Sequence, residues 1–421
     1  MKFHTEVGDQ TQYLAHEFND NTIRFVVKYP VPIDPRKLAD AVKILVQRLD
    51  ILHSSFNVGI LGTKWIVNKT CKTDSLTIAS EVSGDVLSAA RQAALHPIDF
   101  SGEVQIRCCL FYNEVESALT FLVGHMCADG RDAAYLLKKL TEIYNSLSAG
   151  ESGCNVMLKS GSRSINQCYA GNPEILSFDI NKIVSEKSHE IKSAYRFLNE
   201  EAGTPCMVEC TVSGESVARC RTLVENATVN DVILAAYYRA YVRQMELSFD
   251  TPVGIASMMD LRRYIPEGDS AGVANLSGPV STSLPDGIGP DFQDTLSEVS
   301  RQTTVLKDDK KAGLDIVLAI QKLYKMLPFP LTVAAGEKIY SNMSIGLTNL
   351  GNLKSSDLKL ENVPADKLIF AGPIKRKPAL QLSVSGLDGE INLCIVSQCT
   401  PGERAQLENL LQIIVSEIQN A

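Results

Sequence analysis

The sequence has no apolar run of the roughly eighteen residues that a membrane-crossing helix needs, and no basic stripe. Its Lys and Arg residues are scattered, and the formal charge is −8 with a pI near 5.4. The first absence argues against a membrane span. The second argues against nucleic acid as a partner, because neutralising phosphates takes clustered cations. Low-complexity and collagen-like tracts are missing and Gly and Pro are at ordinary levels, so disordered and fibrous classes drop out. There is no glycine-rich phosphate loop, which removes phosphoryl transfer. Metal-knuckle spacing is lacking as well: Cys206-x-x-x-Cys210 has no His pair nearby, so no metal is expected. Eleven Cys, an odd number in no regular framework, suggest reduced thiols serving mostly as small core residues. The N-terminus is polar and acidic within ten residues and shows no leader pattern, so the expected location is cytoplasmic.

What is present is a soluble globular composition, 45% hydrophobic and 21% charged over 421 residues. That length exceeds what one core usually serves, so two domains or two halves are expected. A strand-like run at Thr22–Tyr29 precedes Asp34-Pro35, an N-cap with proline at the first helical position. Leu38, Ala41, Val42, Leu45, Val46 and Leu49 then mark one buried helix face running to Leu49 or Leu52. Two hairpins follow, Ser54–Val58 with Lys64–Val67 and Gln105–Tyr112 with Ser117–Val123, with a helix near Asp85–Leu95 between them. Another helix starts at Arg131.

The Ser- and Gly-rich stretch from Ser148 to about Asn172 reads as a link, and the halves are placed at residues 1–165 and 166–421. In the second, strand-like Pro205–Ser213 leads to Thr228-Val229-Asn230-Asp231, a capping-box pattern ahead of a helix over Val232–Met245. Pro252–Met259 is strand-like. In the tail, Leu331–Ala334, Asn342–Gly351, Ile369–Ala371, Ala379–Ser385 and Glu390–Ser397 read as short strands. Thr400-Pro401-Gly402-Glu403 opens a last helix. Helices on mixed sheets make an α/β or α+β architecture.

Among six His, His125 stands apart. It ends an apolar strand just before a Gly-containing turn, in Gly124-His125-Met126-Cys127-Ala128-Asp129-Gly130. Imidazole is the side chain whose ordinary pKa suits a general base near neutrality. Asp129 could orient the ring, or turn to an arginine and merely hold the loop. A satisfied structural His–Asp cluster is the plain alternative to a catalytic one. Cys127 lies two residues from His125, but on a turn the two side chains need not converge, and a small core residue is the simpler reading.

This segment resembles the His-His-x-x-x-Asp-Gly signature of the superfamily of nonribosomal-peptide condensation domains, chloramphenicol acetyltransferase and alcohol acetyltransferases. Leu38–Phe56, Thr228–Ala236, Met259-Asp260-Leu261-Arg262-Arg263, Asn275-Leu276-Ser277-Gly278 and Thr348-Asn349-Leu350-Gly351 resemble further segments of the same superfamily in the same order. The resemblance implies two chloramphenicol-acetyltransferase-like halves, a V-shaped pseudo-dimer with a central tunnel and His125 at its middle. It implies an acyltransferase in which His125 deprotonates an alcohol or amine acceptor that attacks an acyl thioester, either coenzyme A or phosphopantetheine on an acyl or peptidyl carrier protein. No bound cofactor is implied.

By the same resemblance Asp129 and Gly130 support the motif, with Arg262 as the ion-pair partner of Asp129 and Arg107 as the fallback. Asn275, Ser277, Thr348 and Asn349 are expected to line the channel, although each is also an ordinary turn or strand-end residue. Gly124 replaces the first motif histidine, and the Asp-Phe-Gly-Trp-Gly segment of the plant branch is missing. The alternative is a catalytically silent condensation-like domain that binds a carrier protein or small ligand.

Overall fold

The computed structural model describes residues 2–60, 62–69, 76–170, 175–176, 190–198, 203–266, 271–340 and 345–421, with side chains 337–340 excepted. The first part of the chain runs through β1 (Lys2–His4), α1 (Val7–Leu14), β2 (Thr22–Tyr29), α2 (Pro35–Gln47), β3 (Ser54–Gly59), β4 (Gly62–Val67), β5 (Thr77–Glu81), α3 (Val86–Ala94), β6 (Ile106–Tyr112), β7 (Ser117–Gly124) and α4 (Gly130–Ser148). Helix α2 starts where its sequence predicts. The Asp34 carboxylate accepts the N–H groups of Arg36 and Lys37, with Pro35 at the first helical position. Strand β7 is buried at all eight residues, as a central strand covered on both faces must be. It delivers the chain to His125 from inside the sheet.

The second part contains α5 (Asn166–Tyr169), β8 (Thr204–Val212), α6 (Gly214–Arg221), α7 (Val229–Gln244), β9 (Val253–Asp260), β10 (Ser277–Leu284), α8 (Phe292–Asp308), α9 (Leu314–Met326), α10 (Phe329–Tyr340), β11 (Gly346–Leu353), β12 (Lys367–Ala371), β13 (Gln381–Leu387), β14 (Glu390–Cys399) and α11 (Pro401–Gln419). Reciprocal capping boxes, Thr228 with Asp231 and Thr400 with Glu403, start α7 and α11.

Two mixed sheets carry the architecture. One has the order β12-β2-β7-β6-β5, the other β10-β9-β11-β13-β14-β8, and β1-β4-β3 form a small third sheet. The first takes an edge strand from residues 367–371, which pair antiparallel with β2. Val26, Leu122 and Ile369 of that sheet share an apolar cluster with Met207, Cys394 and Val396 of the other. Polar ties reinforce the contact: Glu209 of β8 bonds Arg91 of α3, Lys367 of β12 (2.8 Å) and Asn392.

Two expectations are corrected. Leu331–Ala334 lies inside α10, not in a strand, because a short apolar run does not by itself reveal its period. Cys206 and Cys399 form a disulfide between neighbouring strands, whereas Cys108, Cys109, Cys127, Cys154, Cys168, Cys210, Cys220 and Cys394 are free. With a sequence separation of 193 between the two partners, their linear spacing carried no sign of the pairing. Part of the expected strand Asn342–Gly351 falls outside the described residues; the observed strand begins at Gly346.

Candidate active site

His125 is the first residue past the end of β7 and is half-buried. Its N–H donates to the Asn21 carbonyl at 2.7 Å, and Asn21 sits in the left-handed region with φ 46°, a conformation Asn tolerates better than most residues. The Asn275 amide grips the turn from the opposite side. Its Nδ2 donates to the carbonyls of His125 and Met126, both at 2.9 Å, and faces Asp9 Oδ1 at 3.4 Å. Three oxygens around that nitrogen fix which way the amide points, so Asn275 Oδ1 faces His125 Nδ1 at 3.3 Å as an acceptor. Nδ1 therefore carries the proton in the neutral ring, and the lone pair lies on Nε2. Nε2 makes no hydrogen bond with any described residue. Burial pushes the imidazole below its usual 6.5, and the nearby Lys375 charge pushes the same way.

Asp129 does not orient the ring. It is the N-cap of α4 and accepts the Asp132 N–H at 3.0 Å, while its second oxygen takes Arg262 Nη1 and the Leu276 N–H, each at 2.8 Å. The other arm of the same guanidinium reaches Asp132 Oδ2 at 2.7 Å, which also accepts the Ala274 N–H at 2.8 Å. Lys159 closes the cluster at 3.1 Å from Asp132 Oδ1. Despite burial, which works against the cation, the two carboxylates hold Arg262 firmly protonated. The result is a buried fork that clamps residues 274–276 against the start of α4. Arg107 is elsewhere, donating to the carbonyls of His96 and Pro97.

Several supporting residues escaped the sequence reading. Asp9, fully buried on α1, accepts Trp65 Nε1 at 2.9 Å and Arg163 Nη2 at 2.6 Å, and Arg163 donates to the carbonyls of Cys127 and Val273. These partners are separated by 56 and 154 residues, so no local pattern links them. Asp132 left a weak trace as an acid at the third position after an Asp N-cap. Gly124 explains its own departure from the motif: a Cβ there would stand 2.6 Å from Gln105 Oε1. The space a side chain at 124 would take is filled by the Gln105 amide, whose Nε2 donates to the carbonyls of Ser54 and Phe100.

Of the remaining predicted residues, Gly130 is the first residue of α4 and packs toward Phe370 and Leu350. Ser277 opens β10 opposite Asp260, two residues from Asn275. Thr348 and Asn349 lie half-buried on β11 and form no hydrogen bond to His125. The Asn349 amide is committed to Asn230 and to the Gly351 N–H. Cys127 is buried, donates to the Gly124 carbonyl at 3.1 Å and has its thiol pushed up to about 12 by burial, which disqualifies it as a nucleophile at neutral pH.

No family model matches the sequence, and none of the curated proteins does. Solved structures match along the whole chain. The first condensation domain of the calcium-dependent antibiotic synthetase, in complex with a substrate analogue, superposes with a TM-score of 0.71 at 14% identity, covering 100% of this chain and 97% of that one. The starter condensation domain of rhizomide synthetase in complex with C8-CoA gives 0.70 at 12% identity, over 99% and 95%. The epimerization domain from the third module of tyrocidine synthetase B gives 0.68 at 14%, over 100% and 97%. Identities this low speak for architecture and not for chemistry. The chain has the condensation-domain fold, built of two chloramphenicol-acetyltransferase-like halves.

Proposed function

We propose that this protein is an acyltransferase that moves an acyl group from a thioester, coenzyme A or carrier-protein phosphopantetheine, to an alcohol or amine reached through the cleft between the halves. His125 Nε2 takes the proton from the acceptor O–H or N–H as the acceptor attacks the thioester carbonyl. The tetrahedral intermediate then expels the thiolate, which recovers the proton from the imidazolium. The observation that carries this reading is the state of the ring: its Nδ1 is oriented by Asn275, its Nε2 is free of described partners, and Asp129 is locked to Arg262. A base left neutral and unpaired is reactive near neutral pH. The C8-CoA complex of the rhizomide neighbour is in keeping with an acyl thioester donor.

Mass spectrometry of products after mixing the protein with a panel of acyl thioesters and acceptors tests the proposal. A new acylated acceptor is expected from the wild type and not from His125→Ala; full transfer by His125→Ala sinks the mechanism. The filled space at Gly124 keeps a second reading in view, a silent module that binds a carrier protein or small ligand. Binding without any product in the same panel would favour it.

A further inference from the structure

The charge of Lys375 acts on His125, yet no described residue forms a hydrogen bond or ion pair with it. After β12 the chain turns back along the segment that supports the histidine. Asp20 N–H donates to Ile374 O at 3.2 Å, Ile374 N–H to Asp20 Oδ1 at 3.0 Å and Arg376 N–H to Phe18 O at 2.7 Å, so Lys375 faces Asn19 in a short antiparallel bridge. Two residues further along, Asn21 O holds the His125 N–H. Lys375 is half-buried, and its ammonium makes no hydrogen bond or ion pair with any described residue. Among the described residues, the one carboxylate its charge feels is Asp20, and both oxygens there are taken. Oδ2 meets Arg24 Nη2, while Oδ1 meets Arg24 Nη1 at 3.2 Å and the N–H groups of Thr22 and Ile374. Its neighbours are accounted for differently: Arg376 lies exposed over the Phe18 ring and Lys377 bonds Glu403.

Burial pushes the Lys375 amine down to about 8, so it is still mostly charged at neutral pH, and that charge weakens the His125 base. An unanswered, partly desolvated cation costs stability, and here it also costs basicity. Such an arrangement makes physical sense when the counter-charge arrives with the ligand.

We propose that Lys375 is the anion-binding group of the site, and that one of the two substrates carries a carboxylate within a few bonds of its reacting atom; this rests on His125 being the centre of acyl transfer. The phosphates of coenzyme A or phosphopantetheine do not meet the need, because a whole pantetheine arm separates them from the thioester. The carboxylate belongs either to a dicarboxylic acyl group or to a hydroxy- or amino-acid acceptor.

Two matched pairs separate these sources: glutaryl-coenzyme A against hexanoyl-coenzyme A, and 6-hydroxyhexanoate against 1-heptanol. Turnover is measured with the full chain and its Lys375→Gln and Lys375→Arg variants, and equilibrium binding by titration calorimetry. The anionic member of one pair should be preferred, by kcat/KM or by Kd. That preference should fall on the order of tenfold to a hundredfold in Lys375→Gln, the scale of a charged hydrogen bond, and survive largely in Lys375→Arg. No preference in either pair, or an equal loss for neutral and anionic members, overturns the proposal. If His125→Ala keeps full turnover, the base assignment falls while the Lys375 selectivity can still stand. If His125→Ala is inactive and Lys375→Gln leaves selectivity intact, only the anion site falls.

Discussion

At the scale of single residues, a neutral imidazole is the working form, so activity should follow its deprotonation. Since burial holds the folded pKa below 6.5, kcat/KM should be level at neutral pH and decline only as pH falls through that lowered value. A pH–rate profile whose acid limb lies above 6.5 would contradict this. Lys375→Gln removes a repelling charge, so its limb should move to higher pH. His125→Ala should lower kcat by about 10²–10⁴-fold, the usual reach of general-base catalysis, with an unchanged urea midpoint. Arg262 behaves differently: its removal strands two buried carboxylates. Burial and the Asp129 charge already push Asp132 upward, so Arg262→Ala should cost about 3–5 kcal/mol in urea unfolding. Any loss of activity would then track loss of fold.

The elements meeting at the turn explain why the motif tolerates a glycine first. Strand β7 enters the turn edge-on to Gln105, the residue before β6, and Gly124 N–H bonds the Gln105 carbonyl at 2.8 Å. Gly124→His would drive a side chain into that amide and should cost about 1–3 kcal/mol. Gln105→Ala in the same background should return part of it, and a double-mutant cycle in thermal or chemical unfolding would show no coupling if the two sites were independent. Asn275 ties the segment before β10 to the same turn through two carbonyls. Asn275→Ala should lower kcat more than it raises KM, because it frees the ring's orientation and leaves the substrate's contacts in place.

Across the whole molecule, Glu209 joins the two sheets. Burial pushes its carboxyl up, but Lys367 and Arg91 win and hold it below its usual 4.5. A depressed folded pKa contributes stability that is present above the unfolded value and lost as pH falls through the folded one. Glu209→Gln should therefore destabilise the protein by about 1–3 kcal/mol at pH 7, with the gap to wild type narrowing below pH 4.5. A gap that stays constant with pH would show that the carboxylate's charge contributes nothing to the junction.

The local elements that carry the motif were legible in the sequence because their causes are local. Asp34-Pro35, Thr228 with Asp231, and Thr400-Pro401 with Glu403 start helices through atoms within three residues of each other, and the apolar run of β7 leads directly into His125. Leu331–Ala334 misread as a strand shows the limit of local period over four residues. Tertiary structure alone decided what surrounds the histidine. Asp9, Trp65 and Arg163 meet across gaps of 56 and 154 residues, Cys206 pairs with Cys399, Gln105 fills the place beside Gly124, and Lys375 returns from the far end of the chain to face Asn19, two residues from the Asn21 carbonyl that holds His125. The physical reason is that a long-range partner leaves no periodic trace: its position depends on sheet order and register, which emerge only when the whole core has packed.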